Sequence, residues 1–437
     1  MNRRALLLGS AGLLSGCGTF DDIFGERKVR LPGERISVLQ SEASVTADAD
    51  SGPVTLPGPQ PVSEWPTVGG PASHAPGHVQ LGVNLAQAWR ASAGSGSGYR
   101  QRMVAGPVIG NGTVYAVDAW GSVSAHRLAD GSRVWRTDST PDDQWASPLG
   151  GGAAFADGTL YVATGLAEVI AMNAANGEIK WRVRLPAPAR GAPGIAGGRI
   201  FVPTNENQLY ALSVEDGSRL WNYRAQSVTT MALGLPAPAV DGDAVVAGFT
   251  SGELFALRVT DGRVLWGESL GSLAMASIAD FVGITGLPVI VNGRVIAVGL
   301  GNTSIAVDLR TGRRLWERNF GGGAGPATAG DFAFAVTRDG EALAIGREDG
   351  RVHWVTPLDP PPATGSRRGT PPRFGRPLVA NGRLMIPSSR SEFLLLDPAN
   401  GQIAGRMSTG YSITLPMAVT DGTLVALADD GTLVAFR

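Results

Sequence analysis

The chain is nearly devoid of the residue that staples small secreted domains or holds soft metals: among 437 residues there is one cysteine, Cys17. A single thiol excludes an intramolecular disulfide and any multi-cysteine metal site. Aromatic residues are 7% and charged residues 17% of the chain, while 43% is apolar, enough for a sizeable core and too much for a disordered tail. Neither sign of charge is in excess. Thirty-seven Lys plus Arg face 38 Asp plus Glu, too even a balance for a general polyanion binder, so nucleic acid is not an expected partner. The ten-residue apolar stretch from Ala5 to Leu14 is too short to remain in a bilayer as a spanning helix. Glycine and proline are plentiful instead, 61 and 29 residues, with no Gly-X-Y period and no sustained helical pattern. Short strands joined by frequent turns, an all-β chain, follow from that composition.

Met1-Asn2-Arg3-Arg4 gives the apolar stretch a basic head, and Leu14-Ser15-Gly16-Cys17 closes it. Residues 1–16 therefore read as a secretion signal. The closing run resembles the bacterial lipobox, which implies that Cys17 receives lipid and becomes the first residue of the mature chain. Lipoproteins retained in the inner membrane commonly carry Asp at the next position; Gly18 implies the periplasmic face of the outer membrane. Residues 17–80 are expected to form a mobile tether, because 41–60 are mostly Ser, Ala, Asp, Gly and Pro and bury too little to offset the entropy of ordering. Within it, 21–39 carries Ile23, Phe24, Val29, Leu31, Ile36 and Val38 among charges, a segment suited to docking on a partner or on the main domain.

Residues 81–437 repeat. Gly112, Gly158, Gly198, Gly242, Gly293, Gly330 and Gly382 are each followed 19 or 20 residues later by a second glycine, at Gly131, Gly177, Gly217, Gly262, Gly312, Gly350 and Gly401. Many are Asn-Gly or Asp-Gly pairs, which accept the positive φ of tight hairpins. Two short apolar strands lie between the paired turns, as in Thr159–Ala163 and Glu168–Met172. Four residues after the second glycine stands a tryptophan in six units, Trp135, Trp181, Trp221, Trp266, Trp316 and Trp354; the seventh has Gly405. With an apolar strand before the first glycine, each unit supplies four strands, the content of a propeller blade. The C-terminal unit stops after three strands, and Leu85–Arg90, with Trp89, is a lone Trp strand with no blade before it. Joining the two predicts an eight-bladed β-propeller of four-stranded antiparallel blades, closed by an N-terminal strand that completes the C-terminal blade. The seven tryptophans, Trp89 included, are expected to fill the gaps between blades.

The strand Gly252–Leu257, then a turn glycine, then tryptophan, resembles the repeat of quinoprotein propellers, shared by pyrroloquinoline-quinone dehydrogenases and by the BamB family of outer-membrane assembly lipoproteins. Lipobox, short pre-propeller segment, eight units and split closing blade together are similar to the BamB family. That resemblance implies a non-catalytic scaffold of the β-barrel assembly machinery, without cofactor, monomeric within a hetero-complex. It would bind a BamA-like subunit and unfolded outer-membrane proteins and assist their insertion. A periplasmic quinone-dependent dehydrogenase and a glycan- or cell-wall-binding propeller are the alternatives. The dehydrogenase calls for calcium held by carboxylate and amide oxygens, a catalytic Asp and cations for the quinone carboxylates, and no such constellation stands out; Asp142-Asp143 reads as a solvated turn.

Two interblade loops are unusually apolar. The segment 225–236 carries Val228, Met231, Leu233 and Leu235, and 271–288 carries Leu273, Met275, Ile278, Phe281, Val282 and Ile284. The resemblance implies that they form the partner contact, with Met231, Leu233, Leu235, Ile278, Phe281 and Ile284 as candidates. Where the family has a contacting Arg this chain has Leu233, and where it has Asp this chain has Gly283 and Thr285. Other candidates are weaker. His74 and His78 have metal-like spacing, but Pro76-Gly77 between them breaks a helix. They, His126 and His353 are expected to be surface or internally satisfied. Gly94–Gly98 reads as a flexible connector, and the Pro- and Arg-rich insert 359–376, with Arg367, Arg368, Arg373 and Arg376, as a solvated loop, with a contact to an acidic partner or lipid headgroups as the alternative.

Overall fold

The computed structural model describes residues 45–82, 84–99, 101–140, 151–228, 234–270, 283–359 and 370–437. Those residues form an all-β, eight-bladed propeller: eight sheets of four antiparallel strands each. Seven blades are contiguous in sequence, at 108–137, 151–184, 194–224, 239–269, 289–318, 327–357 and 378–408. The eighth takes its three inner strands from 418–436 and its outer strand, Gln87–Ser92, from the other end of the propeller sequence. That strand pairs antiparallel with Thr432–Phe436, Trp89 facing Ala435. Inner strands of successive blades from one to seven touch around the axis, and that of blade one meets that of blade eight.

The order of strands within a blade follows from side-chain pattern. Middle strands such as Thr159–Thr164 and Glu168–Asn173 are buried almost throughout, as near-continuous apolar runs covered on both faces should be. Outer strands such as Val264–Ser269 keep only one or two buried positions. Hairpins between the first two strands use the expected chemistry: Asn111 and Gly112 have φ of 50° and 66°, the doubly left-handed turn whose twist matches the flanking strands.

Each outer strand carries a bulge just before its tryptophan position. In blade one, Ala125 faces Trp135 while His126 faces Arg133, so Val134 is the extra residue. The same shift recurs in the other seven blades. A bulge re-aims the side chain beside it, and here the indole is directed at the next blade. There its Nε1–H donates to a carbonyl: Trp89 to Leu128, Trp135 to Ala174, Trp181 to Val214, Trp221 to Val259, Trp266 to Leu309, Trp316 to Arg347 and Trp354 to Pro398. The same indoles lie against the second turn glycine of that blade, from Gly131 on Trp89 to Gly401 on Trp354, so closely that no Cβ would fit. The residue facing each tryptophan across the sheet is alanine in all seven cases. In blade seven, Gly405 replaces the tryptophan and the facing residue is Leu395: the large side chain has changed strands.

The tether expectation fails for residues 45–80. This stretch lies on the propeller from Val45 onward, with Val54, Trp65, Val68 and Val79 buried. Asp48 is bonded to Val352 of the outer strand of blade six through both backbone and carboxylate. Beyond it, residues 60–82 form a strap that runs round the axis, meeting blades eight, one, two, four, five and seven in turn before returning to blade eight. Its composition is indeed poor in large apolar side chains, but its backbone finds partners. The innermost strands leave N–H and C=O groups facing the axis, as any sheet edge does, and the strap takes them up. Trp65 exchanges two bonds with Ile109, both 2.8 Å; Phe155 donates to Pro66, Val240 to Ala72, Ile290 to Ser73 and Asp421 to Val62, and Val79 donates to Val379. Six of the eight blades are thereby tied to one segment. Gly94–Gly98 is likewise packed rather than loose: Ser95 and Ser97 bond to Asp118, Ala119 and Asp429, and a Cβ on Gly96 would collide with Asp430.

Candidate functional site

The connections between an outer strand and the next inner strand all emerge at the same end of the ring, and their last residues converge on the axis. There they enclose a cavity of about 330 Å³, with Leu235, Thr285, Leu287, Arg338, Arg373 and Arg376 in its lining. The strap bonds the far ends of the inner strands, next to the Asn-Gly hairpins and opposite the loops.

Arg376 and His74 link cavity and strap. Arg376, read from sequence as part of a solvated loop, is buried: Pro377 and the inner strand of blade seven follow it directly, which draws the loop end into the ring. Its Nε and Nη2 donate to the carbonyl of Pro326 at 3.1 and 2.9 Å, Nη2 also to that of His74 at 2.7 Å, and Nη1 to that of Gly69 at 3.3 Å. His74 is fully buried, its Nδ1 2.9 Å from the carbonyl of Pro288. Only a protonated Nδ1 can bond to a carbonyl, which assigns the neutral tautomer. His78 is satisfied on both sides, Nδ1 to Pro57 and Nε2 from the Gly382 N–H. His126 is buried, with Nδ1 3.1 Å from the Gly131 carbonyl, and His353 reaches the carbonyl of Gly52. Among the described residues, no three His, Cys, Asp or Glu gather where they would hold a metal ion.

Burial, reinforced by the Arg376 charge, lowers the His74 pKa to about 3. In the unfolded chain the imidazole titrates at its ordinary 6.5, so between these values the unfolded state binds the extra proton and stability falls as pH drops. His126 is displaced in the same direction, chiefly by burial. The expected result is progressive loss of stability below about pH 6.5 at up to about 1.4 kcal/mol per pH unit for His74 alone. His74→Asn, which keeps a donor near Pro288, should flatten that slope. Denaturant midpoints measured across the same pH range check it; parallel profiles for the two proteins would contradict it.

Of the six loop residues singled out by sequence, Leu235 and Ile284 are buried and do not belong to an exposed patch. Leu235 borders the axial cavity, and Ile284 packs against Gly248 of the neighbouring blade. Both stand near the axial ends of their loops, where convergence buries apolar side chains. Met231, Leu233, Ile278 and Phe281 lie outside the described residues, as do Cys17 and the segment 21–39. The strap, Arg376 and the cavity are what sequence reading missed. A proline on each side of His74, and Trp65 in an otherwise polar stretch, are the signals that could have pointed to it.

The family model described as outer membrane protein assembly factor BamB matches residues 110–356, which is more than half of the chain. The chain belongs to that family. Curated BamB proteins are similar at lower coverage. That of Marinobacter adhaerens is 26% identical over 158 residues, 36% of this chain and 38% of the relative; that of Escherichia coli is 27% identical over 169 residues, 38% and 39%. The alignments thus span under two fifths of these BamB relatives. Among solved structures, BamB from Moraxella catarrhalis superposes with a TM-score of 0.69 at 21% identity, covering 81% of this chain and all of that one. A europium-containing methanol dehydrogenase superposes at 0.68 with 13% identity, covering 83% and 89%. At such identities both likenesses describe the propeller fold alone, which BamB shares with enzymes.

Proposed function

We propose that this protein is a non-catalytic, lipid-anchored scaffold of the outer-membrane β-barrel assembly machinery, which binds a BamA-like subunit at the loop end of the ring and assists the insertion of barrel proteins. Membership of the BamB family across the blades of a fully closed ring carries the reading. In it, residues 1–16 are removed on export and Cys17 bears the lipid that holds the protein at the periplasmic face of the outer membrane. Met231, Leu233, Ile278 and Phe281 remain the partner-contact candidates, on loops whose described ends border the axial cavity.

Affinity capture of the tagged protein from detergent-solubilised envelopes tests this. Recovery of barrel-assembly subunits is expected; their absence would overturn the reading. Met231→Ser with Leu233→Ser should weaken that recovery while altering stability by less than about 0.5 kcal/mol, as surface changes away from a core do. Cys17→Ser should leave a folded propeller that no longer sediments with outer membranes, because acyl chains supply the anchor. A variant that is exported and still fractionates with outer membranes would contradict lipid anchoring.

A further inference from the structure

The outer edge of one blade carries a segment of the chain's own polypeptide. In blade six the Asp48 N–H donates to the Val352 carbonyl at 2.8 Å, and the Asp48 carboxylate accepts from the Val352 N–H at 2.8 Å, with Arg318 of blade five 3.5 Å from the same carboxylate. A few residues on, the His353 Nδ1–H donates to the Gly52 carbonyl at 2.9 Å. Residues 45–52 thus lie on the outer strand, and Val352 beneath them is 2% exposed. The register makes this possible. Val352 faces Ile345 across the sheet, two residues before Trp354, and bonds outward rather than to the third strand. Val264 faces Leu257 at the same position before Trp266, so its N–H and C=O also point outward, and no described residue bonds to them.

The edge of blade four is uncovered. Val264 is 42% and Leu265 40% exposed. In the two positions before the tryptophan, every other blade has at least one charged, polar or small residue, such as Arg133, Lys180, Arg219 or His353; blade four has two large aliphatic ones. Leu220, also exposed, extends this surface onto blade three: it precedes Trp221, whose indole bonds to Val259 in the turn that leads to Val264. Isolated exposed aliphatic residues are ordinary, but a sheet edge left without charge or cover is a template for another chain. The charge beside it is positive. Arg263 adjoins Val264 and Arg219 adjoins Leu220; both are exposed and neither forms an ion pair among the described residues, whereas Asp243 and Asp261 of the blade-four turns are held by Arg258. We propose that the outer edge of blade four docks a segment of a partner polypeptide in which an aspartate is flanked by aliphatic residues. The aspartate bonds to the Val264 main chain as Asp48 bonds to that of Val352, Arg263 and Arg219 supply the charge that Arg318 supplies to Asp48, and the aliphatic residues cover Val264, Leu265 and Leu220. Val264 begins its strand at the end opposite the loops, so this site and the loop-end contact of the assembly reading stand or fall separately.

Calorimetric titration of the detergent-solubilised full-length protein with acetyl-VTVDVDSG-amide, the 45–52 segment with valine in place of both alanines, tests the proposal. Saturable binding of one peptide per protein is expected, with a Kd below about 1 mM. The peptide with alanine for the first aspartate should bind about tenfold more weakly, having lost a charged hydrogen bond. Leu265→Glu sets a carboxylate against the incoming aspartate and should weaken binding by about tenfold as well; because Leu265 is exposed, its melting temperature should match that of the parent. Arg263→Gln should cost about two- to fivefold, the value of an exposed ion pair. Absence of saturation up to about 5 mM, or equal affinity for the two peptides, would overturn the proposal. Unchanged binding to Leu265→Glu would place the peptide elsewhere, blade six included, and would overturn it too. A second copy of this chain is the competing occupant: sedimentation as a dimer that Leu265→Glu converts to a monomer would assign the edge to self-association instead.

Discussion

Trp266→Ala is expected to destabilise the propeller by about 3–5 kcal/mol, the range for removing a buried aromatic side chain that its surroundings cannot replace. The indole is buried between blades four and five, lies against Gly312 and donates Nε1–H to the Leu309 carbonyl at 2.6 Å. Neither neighbour can move into the vacated space, because both belong to the backbone of the next blade's turn. Trp266→Phe separates the two contributions. It retains much of the apolar area and loses the hydrogen bond, worth about 1 kcal/mol. Denaturant midpoints of the two variants decide the matter. Equal losses would mean that the hydrogen bond rather than packing joins the blades, and an unchanged midpoint in Trp266→Ala would remove this residue from the interblade contact altogether.

Gly312→Ala approaches the same joint from the other side and should cost about 2–5 kcal/mol. Gly312 has a φ of 70°, where an L side chain loses about 1–2 kcal/mol, and its new methyl group would fall inside contact distance of Cβ and Cγ of Trp266. The clash is with the base of the side chain, which has no rotamer to escape into, so the blades must separate slightly; such overpacking costs about 1–3 kcal/mol more. Gly293→Ala is the control. Its φ is 71° and nothing lies within 4 Å of the added methyl, leaving only the conformational cost of about 1–2 kcal/mol. If the two variants melt alike, the tight approach of glycine to tryptophan contributes nothing to the joint.

The blade count and the closure of the ring were legible because they depend on relations a few residues long. An Asn-Gly hairpin such as 111–112, a second glycine such as Gly131 and a tryptophan four residues on define one blade locally, and the three-stranded C-terminal remainder together with Trp89 completes the arithmetic. The bulge before each tryptophan was not legible. It appears only when two strands are set in register, as Ala125 against Trp135 and His126 against Arg133 require. The exchange of sizes between Gly405 and Leu395 became visible at the same step. Both are cross-strand facts, separated along the chain by the turn.

By itself, then, the sequence determined an all-β chain, eight units, the split blade and the side of each strand that is buried, since hairpin chemistry and apolar spacing act between near neighbours. Tertiary structure alone decided the fate of residues 45–82, of Leu235 and Ile284, and of Arg376. A segment of Pro, Gly and Ala reads as unstructured when only its own side chains are weighed. Once the ring exists, the inner strands present unpaired backbone groups to the axis, and hydrogen bonds to Ile109, Phe155, Val240, Ile290, Val379 and Asp421 hold a strap that its hydrophobicity could not. The same convergence draws the ends of apolar loops inward, away from the surface that their composition suggested, and places one arginine where carbonyls rather than water or carboxylates surround it. These outcomes come from contacts up to some 360 residues apart in sequence, such as Val62 with Asp421, and no local pattern encodes them.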